Sequence, residues 1–205
     1  MTKRGVPDVF PPLHTRLQGQ SIRNGNRASC FSQGFGYNHI MRKTRLYLEA
    51  SPIIMMCPGQ DPVRQAVTKE FFRIVSENPD EYELLLSPAT IDELENAKTE
   101  EKREANTDFL KIIQYTKLPE NDEAENLAWI YTIDGVLSQA KMDDLRHVAY
   151  AVVARCDYVI TWNMRHLANE RTVRRVNTVN AVENYGKIFI TTPEFLTGGT
   201  VYGQQ

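Results

Sequence analysis

Thr44-Arg45-Leu46-Tyr47-Leu48-Glu49-Ala50-Ser51 decides how the rest of the chain is read. Its aromatic and aliphatic side chains make a short apolar strand, and an acid inside such a strand is seldom buried without a partner. Outward from it, strand-like and helix-like patterns alternate. Asp61 and Pro62 form a helix start, and Val63, Val67, Phe71, Ile74 and Val75 recur at helical spacing until Asn78-Pro79. Residues 82–86 (YELLL) are a second strand, and Thr90-Ile91-Asp92-Glu93 has the form of a capping box opening the next helix. Residues 100–114 and 122–137 are polar helical segments separated by Leu118-Pro119. Asp144 then precedes Leu145, Val148, Ala149, Val152 and Val153, the stripe of a buried helix. Residues 158–161 (YVIT) and 187–190 (KIFI) are further strands, with an Arg-rich helical stretch between them. Strands joined by helices need crossovers, which implies an α/β fold: three layers, α/β/α, around a mostly parallel sheet.

Residues 1–40 differ in kind. They are rich in Gly, Pro, Ser, Asn and Gln and hold no sustained period, a composition expected to be disordered. They carry five basic residues against Asp8, a net of +4, which leaves −6 for residues 41–205 out of a total of −2. The patterned domain therefore begins at Met41, and residues 1–40 read as a basic tail or an extension from upstream translation. A body this acidic is no general polyanion binder, because that affinity needs many Lys and Arg to neutralise phosphates. Any nucleic-acid contact is local. The three cysteines, Cys30, Cys57 and Cys156, form no CxxC, so neither a disulfide framework nor a zinc knuckle is expected. No apolar run approaches a membrane span and the start lacks a signal-peptide core, so the expected location is cytoplasmic.

In open parallel sheets the ligand crevice lies beyond the carboxyl ends of the strands. Glu49 ends the first strand, Glu93 lies one helical turn beyond the second, and Asp144 opens the helix leading into the third. Acids gathered there repel unless protonated or bridged by a cation, and Mg²⁺ or Mn²⁺ with oxygen ligands is the natural partner. Such an ion activates water and neutralises charge on a phosphodiester under attack. Each acid has a plainer reading beside this one: Glu93 belongs to the capping box, Asp143 and Asp144 cap their helix, and Glu49 sits on an exposed strand end.

The motifs, taken in order over residues 44–196, resemble those of the PIN-domain family. Leu46 to Ser51 is similar to its LYLDTS strand, Ser87 through Thr90 to Glu93-Leu94 to its SxxTxxEL segment, and Asp144 to Ala149 to its DALHxA helix start. Thr161-Trp162-Asn163-Met164-Arg165-His166-Leu167 resembles a subgroup ending in TWNxxHL. The resemblance implies a metal-dependent ribonuclease like the VapC-type toxins of toxin–antitoxin pairs, inhibited by an antitoxin in its groove and expected as a homodimer. It places Glu49, Glu93 and Asp144 at the metal, with Asn163 as a fourth catalytic position. Two departures stand out. Glu49 and Ala50 replace the usual Asp and Thr, and Asn163 brings no negative charge.

Neighbouring residues carry split readings. Ser51 either orients Glu49 or ends the strand, and Asp143 is either an outer acid of the site or a cap. His147 and His166 read as structural histidines, with general bases as the alternative. Trp162 reads as packing, with base stacking as the alternative. Arg165, Arg171, Arg174 and Arg175 are either a solvated face or a grip on RNA phosphates. The leading function is hydrolysis of RNA by a metal-activated water. Its rival is a PIN-like domain that has lost catalysis through Glu49 and Asn163 and binds RNA or protein. A nucleotide-binding α/β protein is disfavoured because no GxGxxG, GxxxxGK[ST] or HExxH occurs.

Overall fold

The computed structural model of the protein describes residues 42–198, so the expected tail at residues 1–40 lies outside the described residues. In chain order the elements are β1 (Thr44–Leu48), α1 (Ala50–Ile54), α2 (Pro62–Glu77), β2 (Tyr82–Leu86), α3 (Pro88–Glu95), α4 (Glu100–Ile112), β3 (Thr116–Lys117), α5 (Asp122–Ile133), α6 (Met142–Val153), β4 (Tyr158–Ile160), α7 (Glu170–Val182), β5 (Phe189–Thr191) and α8 (Glu194–Thr197). The five strands form one sheet in the order β3-β2-β1-β4-β5. Every pairing in it is parallel, with Leu46 opposite Leu84 on one side and Tyr158 on the other.

Local chemistry accounts for most boundaries. The Asp61 carboxylate accepts from the Arg64 amide and Pro62 follows at the first turn, so α2 starts where a cap and a fixed φ coincide. Asn121 does the same for α5, accepting from Glu123 and Ala124, and Gly135 at φ 68° turns the chain away after that helix. The capping box expected at Thr90 and Glu93 is absent. Ser87 is the cap of α3, its hydroxyl accepting from the Thr90 amide, which moves Glu93 into the second turn and frees its carboxylate. The short strand β3 was not legible, because two exposed residues, Thr116 and Lys117, carry no hydrophobic period.

Alternation along the strands builds two cores. Tyr47, Leu85 and Val159 face α5, α6 and α7, while Leu46, Leu48, Leu84, Leu86 and Ile160 face α1, α2, α3, α4 and α8. Each buried Leu contributes roughly 1.5–3 kcal/mol over its exposed state. With helices on both faces the architecture is α/β/α, as the alternation of patterns implies. The chain runs outward from β1 through β2 to β3, then returns to lay β4 on the other side of β1. That reversal leaves a crevice beyond the carboxyl ends of β1 and β4.

Candidate metal centre

Glu49 stands at that crevice. Its amide donates to the Ile160 carbonyl, which carries the pairing of β1 with β4 one residue further, and its side chain then caps α1. It is only 4% exposed. Three donors reach the carboxylate and all land on Oε2: the Ser51 amide at 2.9 Å, the Thr161 hydroxyl at 2.9 Å and the Ser51 hydroxyl. This concentration leaves Oε1 with capacity for a further partner. Burial pushes the Glu49 carboxyl above its usual range; His147 pulls it down, Glu93 pushes it up and donation from Ser51 pulls it down. Ser51 thus orients Glu49, and its Oγ also accepts from the Trp162 amide at 2.7 Å, tying the end of β1 to the end of β4.

Glu93 projects from α3 toward α6, where its Oε2 lies 3.1 Å from Nε2 of His147. His147 is buried, and its other nitrogen, Nδ1, is 2.9 Å from the Tyr47 hydroxyl. Burial holds the Tyr47 phenol above its ordinary range, so it remains a neutral hydroxyl. Glu49, Glu93 and His147 each offer one ligand atom, and these atoms all lie within 4.8 Å of one another. Six donors at about 2.1 Å from an ion sit about 3.0 Å apart when adjacent and about 4.2 Å when opposite. The three atoms therefore fit around one divalent cation after small side-chain movements. A cation also offsets the burial of Glu49 beside a second acid.

Asp144 stands outside that group. It lies in the first turn of α6 without capping the helix, and its two oxygens accept from the Asn163 amide nitrogen at 2.9 Å and His166 Nδ1 at 3.0 Å. Asn163 in turn accepts from the His166 amide at 3.1 Å, closing a loop after β4. Sequence reasoning grouped three carboxylates; the fold groups two with an imidazole and gives the third to Asn163 and His166. The signal for His147 was its position three residues after Asp144, on the same face of a helix.

Asp144, Asp143, Asp92, Glu93 and His147 line one open cleft of about 560 Å³. The Asp143 side chain is 94% exposed and does not enter the cluster; it comes within 4.0 Å of Arg146. Arg165, Arg171, Arg174 and Arg175 are exposed, with Arg174 paired to Glu170 and Arg175 donating to the Gly135 carbonyl. None of the four lines the cleft, whose basic side chains are Lys141 and Arg146, the latter held by Glu125. Trp162 is packed, its Nε1 donating to Thr68 at 2.9 Å and Arg64 lying over its ring.

No protein-family model matches the sequence, and no curated protein matches it closely enough to count as a relative. Among solved structures, a chain from the crystal structure of VapBC2 from Rickettsia felis bound to a DNA fragment from their promoter is similar, with 13% identity and a TM-score of 0.45. The similarity covers 72% of this chain and 98% of that one. Likeness at this level leaves function to the chemistry of the cluster itself. Among the described residues no helix is long and apolar enough to cross a membrane.

Proposed function

We propose that the chain is a divalent-metal-dependent endoribonuclease of the PIN-domain type, acting as the toxin of a toxin–antitoxin pair. The observation that carries the reading is the meeting of Glu49, Glu93 and His147 within 4.8 Å at the switch point of a parallel sheet. Mg²⁺ or Mn²⁺ held there supplies Lewis acidity toward a phosphodiester oxygen and lowers the pKa of an attacking water.

The chain's own groups do the rest. Glu49, fixed through Oε2, would offer Oε1 to the ion, with Glu93 and His147 holding it from the α3 and α6 side. Asp144, held by Asn163 and His166, faces the cleft as an acceptor for a water or a ribose hydroxyl. Lys141 on the cleft wall, which makes no ion pair among the described residues, meets a phosphate next to the scissile bond. Arg165, Arg171, Arg174 and Arg175 extend the phosphate track beyond the cleft. The open cleft suits single-stranded or loop RNA, and an antitoxin segment occupying it blocks access; the active species is a homodimer in the cytoplasm.

The test is cleavage of single-stranded RNA by the full chain with Mg²⁺ or Mn²⁺, against EDTA and Glu49→Gln. Metal-dependent cleavage lost in the variant supports the reading, and no cleavage by the parent with either ion overturns it. The engagement of Asp144 by Asn163 and His166 favours a second reading, a binding module whose cluster is one acid short. Glu49→Asp separates the two: cleavage gained by this variant from an inactive parent marks a weakened nuclease turned binding module.

A further inference from the structure

Beneath the cluster runs a chain of hydroxyls that neither the nuclease reading nor the packing of the core requires. The Tyr47 hydroxyl touches His147 Nδ1 at 2.9 Å, Ser87 Oγ at 2.6 Å and Thr90 Oγ1 at 3.1 Å. Thr90 spends its own proton on the Leu48 carbonyl at 2.9 Å, so its oxygen can only accept from Tyr47. Tyr47 therefore has somewhere to send its proton while its oxygen accepts from Nδ1–H. Alternatively, with Ser87 donating to it, Tyr47 donates to Nδ1. The second tautomer puts the proton on Nε2, where it donates to Glu93 Oε2 at 3.1 Å; the first leaves a bare lone pair on Nε2 facing that carboxylate, an arrangement that needs a cation and whose separation suits two adjacent ligands of one ion.

We infer that His147 Nε2 is a nitrogen ligand of the metal and that Tyr47 is its positioning residue, so that the site takes a first-row transition ion of the Mn²⁺ class in preference to Mg²⁺. The inference rests on the metal half of the proposed function and not on the nuclease half. Imidazole suits first-row transition ions such as Fe²⁺, Ni²⁺ and Zn²⁺; Mn²⁺ stands at the oxygen-preferring end of that series but takes a nitrogen ligand more readily than Mg²⁺, which favours carboxylate, carbonyl and water oxygens. An orienting partner on the second ring nitrogen is the usual support for a ligating histidine. Here that partner is a neutral hydroxyl, itself held by two residues of the α3 start, so the length of the Ser87-to-Thr90 turn fixes where Nε2 points.

The experiment is direct binding of Mn²⁺ and of Mg²⁺ to the full chain by calorimetry, with pulsed electron paramagnetic resonance of the Mn²⁺ complex and no RNA present. Expected are tighter binding of Mn²⁺ by about tenfold or more and a ¹⁴N coupling from directly bound imidazole. His147→Gln should remove the ¹⁴N signal and the preference for Mn²⁺. Tyr47→Phe should weaken Mn²⁺ binding by roughly 10–100-fold, with a smaller effect on Mg²⁺. Equal affinity for the two ions, or a parent Mn²⁺ complex without ¹⁴N coupling, overturns the inference, and neither readout depends on Tyr47→Phe folding. Mn²⁺ bound with ¹⁴N coupling but no RNA cleavage refutes the nuclease and leaves the ligand assignment standing.

Discussion

Removing the Ser51 hydroxyl tests whether the site is held together as the geometry implies. In Ser51→Ala two bonds go at once: the donation to Glu49 Oε2, and the acceptance of the Trp162 amide at 2.7 Å. Hydrogen bonds to charged groups are worth roughly 1.5–3 kcal/mol, and a buried amide left without an acceptor costs roughly 1–3 kcal/mol. The two losses share one atom and are not additive, so the expected destabilisation is about 2–4 kcal/mol. For a domain of this size that lowers the melting temperature by roughly 4–16 °C. The bond from the Ser51 amide at 2.9 Å survives the substitution, as does the one from Thr161, so the carboxylate loosens without leaving. Metal affinity should consequently fall by roughly 10–100-fold. The assay is urea denaturation in EDTA, followed by Mn²⁺ titration of the folded variant. A loss below about 1 kcal/mol with unchanged Mn²⁺ affinity would refute the idea that Ser51 ties the ends of β1 and β4 around Glu49.

Burial raises the Glu49 carboxyl above its ordinary value of 4.5, so the folded state holds its proton more tightly than the unfolded chain. The stability this adds is complete below pH 4.5 and is lost as pH rises through the raised value, so metal-free protein should weaken across that window while Glu49→Gln does not, by thermal melts in EDTA. Asp144→Asn leaves one acceptor where Asn163 and His166 need two, and is expected to cost about 1–2 kcal/mol in urea denaturation as well as RNA cleavage. A gain in stability from relieved repulsion between gathered acids is not expected, because Asp144 has its own partners. A chain beginning at Met41 retains Arg42 and its pairing with Asp157, and its thermal transition should match that of the full chain; loss of that transition would assign residues 1–40 a role in the fold.

The sequence by itself determined the layers of this protein. Short continuous apolar runs in residues 44–48, 82–86 and 158–160 mark strands covered on both faces, period 3.6 in α2 and α6 marks one-sided helices, and a chain that alternates the two has few ways to cover both faces of a sheet. It also marked Glu49, since an acid after three apolar strand residues must find a partner. The identity of that partner belonged to the tertiary structure. Tyr47 and His147 are 100 residues apart, and their contact depends on α6 settling against the face of β1 that carries Tyr47. Whether Glu93 served a capping box or the cluster turned on a choice between Ser87 and Thr90 as cap, two residues with nearly equal local preference for that position. The choice went to Ser87 as the end of β2 delivered the chain there, with Thr90 drawn to the Leu48 carbonyl of the neighbouring strand. Asp144 followed the same logic: its place near the site was legible from a helix start, but the loop after β4 brought Asn163 and His166 to it first. Periodicity records the environment of a side chain, while the partner it meets is set by register between segments far apart in the chain.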